Sequence, residues 1–435
     1  MASGTDVLRA LGDFERAFWL MDQTHSVNFA IIAHVRGALE PQVLERALAL
    51  LQARHPLLGA RITDSGPASF GRGGVPPIPL REASRGSEDQ WRQEVEHELN
   101  TPLPWSQGPL VRAVLVRAAE QSEILLTFHH SAGDGRSGMY AMRDLLTFAA
   151  SLMGGAPVAA EAVRFPPSIE ELSAPHVRGL RAFGRVARFL GSTVLAMSRR
   201  PGKLPSQSQE VKARTALLHG ELSPEEGERL RARCRKESAT VHGVLCGAML
   251  RAAAAQLDGL THSSKPRFLS CYSPVDLRDM FQESVAPGAV GYFLGMGLSF
   301  HRVDRSAEIW PLAREVGERL RTMREDGTIV AATHFQSRVQ KGWDVKTAAS
   351  SAPPVTAAVS NLREVDIPGQ YGPLALDGVH FSLASHGWGT APVLTVATYQ
   401  GRMQLNFTYS LPRVPEEWGR QVFERALGEL RALAA

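Results

Sequence analysis

The sequence predicts a mixed α/β protein built in two halves, and three observations carry that prediction. The chain has 435 residues, enough for two domains that each bury a core of their own. Short apolar runs of strand length alternate with stretches whose apolar residues recur three and four apart. Hydrophobic residues make up 44% and charged residues 21%, the balance of an ordinary globular protein.

The elements follow in order. Residues 28–36 read as a strand, and Pro41 opens a helix that runs to His55, where Pro56 stops it. Residues 57–62 form a second strand, and 111–117 with 124–130 form a hairpin across 118–123. A helix follows over 136–146. In the second half, residues 215–220 are a strand and Ser223-Pro224-Glu225-Glu226 caps a helix. A helix over 240–257, strands near Phe268, near Gly291 and over 355–359, and a final helix over 416–434 complete the pattern. No repeat is visible, and the boundary between the halves falls between about 170 and 215.

The hairpin ends in His129-His130-Ser131-Ala132-Gly133-Asp134-Gly135. Side chains alternate along a strand, so neighbouring histidines face different surroundings and cannot share a metal. Ser-Ala-Gly-Asp-Gly has turn chemistry, which makes the unit strand, tight turn, helix. An imidazole at such a strand end, with a reference pKa of about 6.5, can take a proton at neutral pH. A hydrogen-bonded core histidine is the plainer reading of the same residue. A metal site using a histidine and Asp134 lacks a third ligand at a recognisable spacing. The three cysteines, Cys234, Cys246 and Cys271, have no metal spacing and read as small buried hydrophobes of a reducing compartment.

The motif resembles the His-His-x-x-x-Asp-Gly signature of the chloramphenicol acetyltransferase-like superfamily, which includes condensation domains and acyltransferases. Segments 54–61, 107–112, 273–278 and 360–362 match in the superfamily's order, so the resemblance spans nearly the whole chain. It is nearest to stand-alone polyketide-associated O-acyltransferases of the mycobacterial type. The resemblance implies two similar subdomains forming a V with a tunnel between them. They are expected over 1–170 and 215–435, with a linker over 171–214.

It also implies the chemistry. His130 is the general base for attack of an acceptor hydroxyl, or an amine, on an acyl thioester, without an acyl-enzyme. His129 is structural, and Asp134 holds the loop by pairing with Arg278. Gly135 lets backbone approach the acyl group, and Ser360-Asn361 offers an oxyanion donor. Ser385-His386-Gly387-Trp388-Gly389 is similar to the Asp-Phe-Gly-Trp-Gly motif of the plant enzymes but lacks its Asp and Phe. We read it as a structural or gating loop, with Trp388 on the tunnel. No metal or permanently bound cofactor is expected; acyl-CoA or a phosphopantetheinyl acyl carrier protein is the co-substrate. A catalytically silent scaffold is the reading from another class, and the intact motif argues against it.

Residues 172–209 contain no Asp or Glu but seven basic residues, Arg178, Arg181, Arg185, Arg188, Arg199, Arg200 and Lys203. The formal net charge of +4 is therefore local, and the rest of the chain is acidic. With Phe183, Val186, Ala187, Leu190 and Val194, four of the arginines make a basic amphipathic helix. It is a packed linker, a membrane contact over 176–200, or a dock for an acyl carrier protein. Nucleic acid is disfavoured, because no aromatics interleave with the charges. Without a secretory leader or an apolar run of about 20 residues, the expectation is a cytoplasmic monomer, with the membrane met only at its surface.

Overall fold

The computed structural model describes residues 6–155, 157–207, 213–262, 265–281, 285–350 and 355–435. The strands are β1 (Val7–Ala10), β2 (Phe29–Arg36), β3 (Arg61–Thr63), β4 (Ser69–Gly71), β5 (Leu80–Ser84), β6 (Val111–Arg117), β7 (Gln121–Phe128), β8 (Arg214–Leu222), β9 (Arg267–Asp276), β10 (Leu294–Val303), β11 (Ala357–Glu364), β12 (Gln370–Tyr371), β13 (Leu374–Leu383), β14 (Val393–Tyr399) and β15 (Arg402–Leu411). The helices are α1 (Asp13–Asp22), α2 (Pro41–Arg54), α3 (Gln90–Asn100), α4 (Gly135–Met153), α5 (Ile169–Ser173), α6 (Leu180–Ser198), α7 (Pro224–Lys236), α8 (Val241–Thr261), α9 (Ile309–Glu325), α10 (Thr328–Gln340), α11 (Val345–Ser350) and α12 (Glu416–Ala434).

Two six-stranded sheets carry the fold, in the orders β12-β13-β2-β7-β6-β5 and β10-β9-β11-β14-β15-β8, beside a small β1-β4-β3 sheet. Alternation along β2 explains why both faces of the first large sheet are dry. Phe29, Ile31 and Ala33 join the cluster built with α2 and α4, whereas Ala30 and Ile32 join Trp91, Val95 and Leu99 of α3. In the second half α8 is buried along most of its length, against α9 and α12. A Cβ on Gly243 would lie 2.2 Å from the Ala313 carbonyl oxygen, so a glycine is what lets α8 and α9 approach.

The expected halves are not self-contained ranges. After β11 in the second sheet the chain crosses to the first, where β13 pairs antiparallel with β2, and it returns as β14. Residues 370–383 thus complete a sheet otherwise made within 1–170. The 171–214 segment is largely helical, through α6. The expected strand over 57–62 shrinks to β3, because residues 57–60 turn, with the Leu58 N–H donating to His55 and that of Gly59 to Pro56. The strand expected near Gly291 begins only at Leu294. Side chains from α4 and its cap claim the preceding backbone: Ser137 Oγ accepts from Gly291 N–H at 3.0 Å, and Asp134 from Phe293 N–H at 3.0 Å. The capping box at Ser223 and the last helix form as the sequence predicts.

Candidate functional site

The strand expected through His130 stops two residues short, so neither histidine of the His-His turn lies in it. β7 ends at Phe128, and His129 caps a single 3₁₀ turn over His130–Ala132. His129 Nδ1 accepts from the Ser131 N–H at 3.1 Å, which folds the chain back on itself. The proton of His129 therefore sits on Nε2, 3.5 Å from the buried Asp22 carboxylate. Neither ring nitrogen is left for chemistry.

His130 is arranged the other way. Its Nδ1 lies 2.9 Å from the Gly133 carbonyl oxygen. A carbonyl only accepts, so Nδ1 carries the proton and Nε2 keeps the lone pair. No partner holds that Nε2 among the described residues. The ring stacks on Phe18 at 4.3 Å and meets Phe29 and Tyr292 at 5.2 and 5.8 Å. Burial among these rings lowers the His130 pKa below its ordinary 6.5, against the opposing pull of the Gly133 carbonyl and Asp134. At neutral pH the ring is an uncharged base.

Asp134 points away from this lone pair. It caps α4 through Ser137 N–H at 2.8 Å, meets Arg278 Nη2 at 3.0 Å and accepts from Phe293 N–H. Burial would raise this carboxyl; Arg278 and the donated hydrogen bonds outweigh it and hold the group below the usual carboxylate range. Arg278 also donates to Asp276 and Ser137, and its guanidinium lies over the Phe293 ring at 4.5 Å. Arg136, the second residue of α4, reaches across to the Leu362 carbonyl at 3.2 Å and to Asp276. A Cβ on Gly135 would press on Phe381 and Leu362, at 3.1 and 3.5 Å. The β11–β13 crossover therefore abuts the start of α4.

Ser360 and Asn361 lie inside β11, opposite Thr395 and Val396 of β14. They line a cavity of about 1400 Å³ together with Arg136, Tyr140, Arg278 and His242. Asn361 Oδ1 accepts from Arg363 N–H at 2.8 Å, which leaves its Nδ2 as the donor end. Trp388 closes a 3₁₀ turn over His386–Trp388, and its ring lies 5.0 Å from Tyr272. No hydrogen bond or ring contact joins Ser360, Asn361 or Trp388 directly to His130 among the described residues. Phe18 and Tyr292, which frame the base, were missed in the sequence. An aromatic in an amphipathic helix and one after a glycine carry no signal of their own. Among the described residues no group of three or more His, Cys, Asp or Glu is placed to hold a metal, and no helix is long and apolar enough to cross a membrane.

Comparison with known proteins fits this geometry. Solved structures similar to the full chain include polyketide synthase associated protein 5 from Mycobacterium tuberculosis, with a TM-score of 0.71, 18% identity and 99% of each chain covered. The first condensation domain of the calcium-dependent antibiotic synthetase superposes with a TM-score of 0.74 at 18% identity, covering 98% of this chain and 97% of that one. TRI3 trichothecene 15-O-acetyltransferase from Fusarium sporotrichioides gives 0.75 at 13% identity, covering 98% and 95%. These likenesses show the fold, of two pseudo-domains with mixed sheets. Among curated sequences, the AMB antimetabolite synthetase AmbE of Pseudomonas aeruginosa is 28% identical over 236 residues, 51% of this chain but 11% of that protein. A linear gramicidin synthase polypeptide of Brevibacillus parabrevis is 29% identical over 170 residues, 35% of this chain and 3% of the synthase polypeptide. The chain thus spans a small fraction of those relatives. Residues 212–408 match the phthiocerol/phthiodiolone dimycocerosyl transferase C-terminus, a transferase family. Residues 18–263, more than half of the chain and including the whole His-His turn, match the condensation domain, and by that extent the chain belongs to the condensation-domain family.

Proposed function

We propose that the protein transfers an acyl group from an acyl thioester to an acceptor hydroxyl, forming an ester, with His130 as general base. The observation that carries this reading is the tautomer of His130: Nδ1–H is spent on the Gly133 carbonyl and Nε2 is left free. The acceptor O–H gives its proton to Nε2 as the oxygen attacks the thioester carbonyl. The tetrahedral oxyanion collapses, the C–S bond breaks, and the departing thiolate takes the proton back from Nε2. A thioester is already activated, so placing the two reactants and stabilising the oxyanion are the remaining tasks. Asn361 Nδ2 and the Gly135 amide are the donors offered for that anion, and Asp134 and Arg278 position the loop. The cavity lining carries seven arginines against five carboxylates, and although Arg231, Arg314, Arg321 and Arg324 each pair with a carboxylate, the net positive lining suits the phosphates of a CoA or phosphopantetheinyl donor.

The condensation-domain match favours a second reading, in which the acceptor is a carrier-bound amine and the product an amide. The same base serves both. A panel of acyl thioesters, free and carrier-bound, against alcohols and amines, followed by thiol release and product mass, separates them. Ester products support the proposal, and amide products alone replace it with the second reading. No turnover with any pair returns the chain to a recruiting scaffold.

A further inference from the structure

The first half of the molecule presents its base inside an aromatic wall; the basic segment presents the opposite, apolar side chains facing solvent. α6 buries only Ala182. α6 lies on α10, and α10 in turn packs on α1, which carries Phe18 against His130. The outer side is a line of Leu180, Phe183, Ala187 and Val194 at helical spacing. Leu180 is 89% exposed, Phe183 72% and Val194 67%, and Leu195 beside them is 59% exposed. Four of the seven large apolar side chains most exposed in the described residues therefore sit on this one helix. A folded protein rarely gathers such side chains in water without a partner. Gly184 and Gly191, on the same side, have open space around their Cβ positions.

Charge says what the partner is. Arg178 and Arg181 have no ion pair or hydrogen bond among the described residues, and Arg188 has only a 3.7 Å contact with the half-exposed Asp326. The segment holds no acid to neutralise them. A second copy would bring seven like charges against seven. A helix of 19 residues is also about 28 Å long and about 10 Å wide, roughly 280 Å² of footprint, well under the roughly 800 Å² per partner of a stable interface. A straight apolar line with Arg181, Arg185 and Arg188 along one flank of its first half, and Arg178 and Arg199 just beyond its two ends, matches a flat anionic surface with an apolar interior.

We propose that α6 is an interfacial helix that seats the protein on an anionic lipid bilayer. Leu180, Phe183, Ala187 and Val194 enter the headgroup boundary, while Arg178, Arg181 and Arg188 meet the lipid phosphates. The seat itself does not depend on the acyl-transfer reading. Its consequence does: a protein seated on lipid through α6, with α10 and α1 between that helix and His130, would draw an acyl donor or acceptor that partitions into lipid.

The test is co-sedimentation of the full chain with phosphatidylcholine vesicles, with and without phosphatidylglycerol. Binding is expected on the anionic vesicles and not on the neutral ones, weakening as salt is raised. Phe183→Glu with Val194→Glu, and separately Arg178→Glu with Arg181→Glu, should each lower the partition coefficient by about tenfold or more. Thermal midpoints confirm that these surface variants fold. Thiol release from a soluble acyl thioester and acceptor should stay at the wild-type rate, so a failed seat and a failed reaction are told apart. Absence of binding to anionic vesicles at low salt overturns the proposal, as does retained binding in Phe183→Glu with Val194→Glu. Capture of an acidic acyl carrier protein, or a dimer, that these substitutions abolish while vesicles are ignored also overturns it.

Discussion

His130 and His380 are both packed among rings and both have their pKa lowered by burial, yet their hydrogen bonds run in opposite directions. His380 sits where the two large sheets meet. Asn406 Nδ2 donates to the Phe381 carbonyl at 2.8 Å, which fixes the amide, and to His380 Nδ1 at 2.7 Å. His380 therefore carries its proton on Nε2 and donates it to His34 Nε2 at 2.9 Å. His219 completes the group, donating from Nδ1 to Asn406 Oδ1 at 2.8 Å. His380 spends both nitrogens on its neighbours. His130 spends one, on a carbonyl, and keeps the basic one. A depressed pKa does not separate the two histidines; the free lone pair does.

The comparison breaks first under substitution. His130→Ala should cost about 10²- to 10⁴-fold in turnover, about 3–5 kcal/mol of barrier, at a nearly unchanged thermal midpoint. His380→Ala should do the reverse. It strands Asn406 and His34, lowers stability by about 1–3 kcal/mol, and leaves turnover per folded molecule intact. Equal loss of turnover in both variants would end the distinction.

Asp134→Ala tests the loop that orients His130. The carboxylate is buried and Arg278 stays behind, so unfolding titrations should show about 3 kcal/mol lost, with activity falling too. Asp134→Asn keeps the helix cap and should lose less.

How far the sequence reached follows the same division. The His-His-x-x-x-Asp-Gly turn and its helix were legible from local turn chemistry, and the Asp134–Arg278 pair only through the resemblance to the superfamily. The histidine group was not, since His34 and His380 each look like a lone polar residue in an apolar strand. Only the β2–β13 pairing brings them together, and that pairing depends on a chain crossover that no local pattern encodes. Phe18 reaches His130 by tertiary packing for the same reason. The basic helix was legible as basic and amphipathic, but which of its faces meets water was not. Ala182 turned out to be its only buried residue.

Acid stability is the gentler probe. Burial holds His219 at about 4 and His386 at about 4, whereas each returns to 6.5 when unfolded. Between those values these two sites bind more protons in the unfolded chain, whereas buried Glu170, raised to about 7, offsets one of them; the histidines win, so stability should fall as pH drops from 6.5 toward 4 and fall further as the depressed carboxylates Asp134 and Asp144 take protons. Thermal midpoints across that range check it, and a flat profile would show these histidines to be more solvated than the packing indicates.

The most direct test of His130 as the base is the pH dependence of kcat/KM with a soluble thioester and acceptor. Because burial lowers its pKa, kcat/KM should rise with pH through a midpoint below 6.5 and reach a plateau by neutral pH. His130→Ala should lack that rise, while His380→Ala should keep it. A midpoint well above 6.5, or the same rise surviving in His130→Ala, would contradict the assignment.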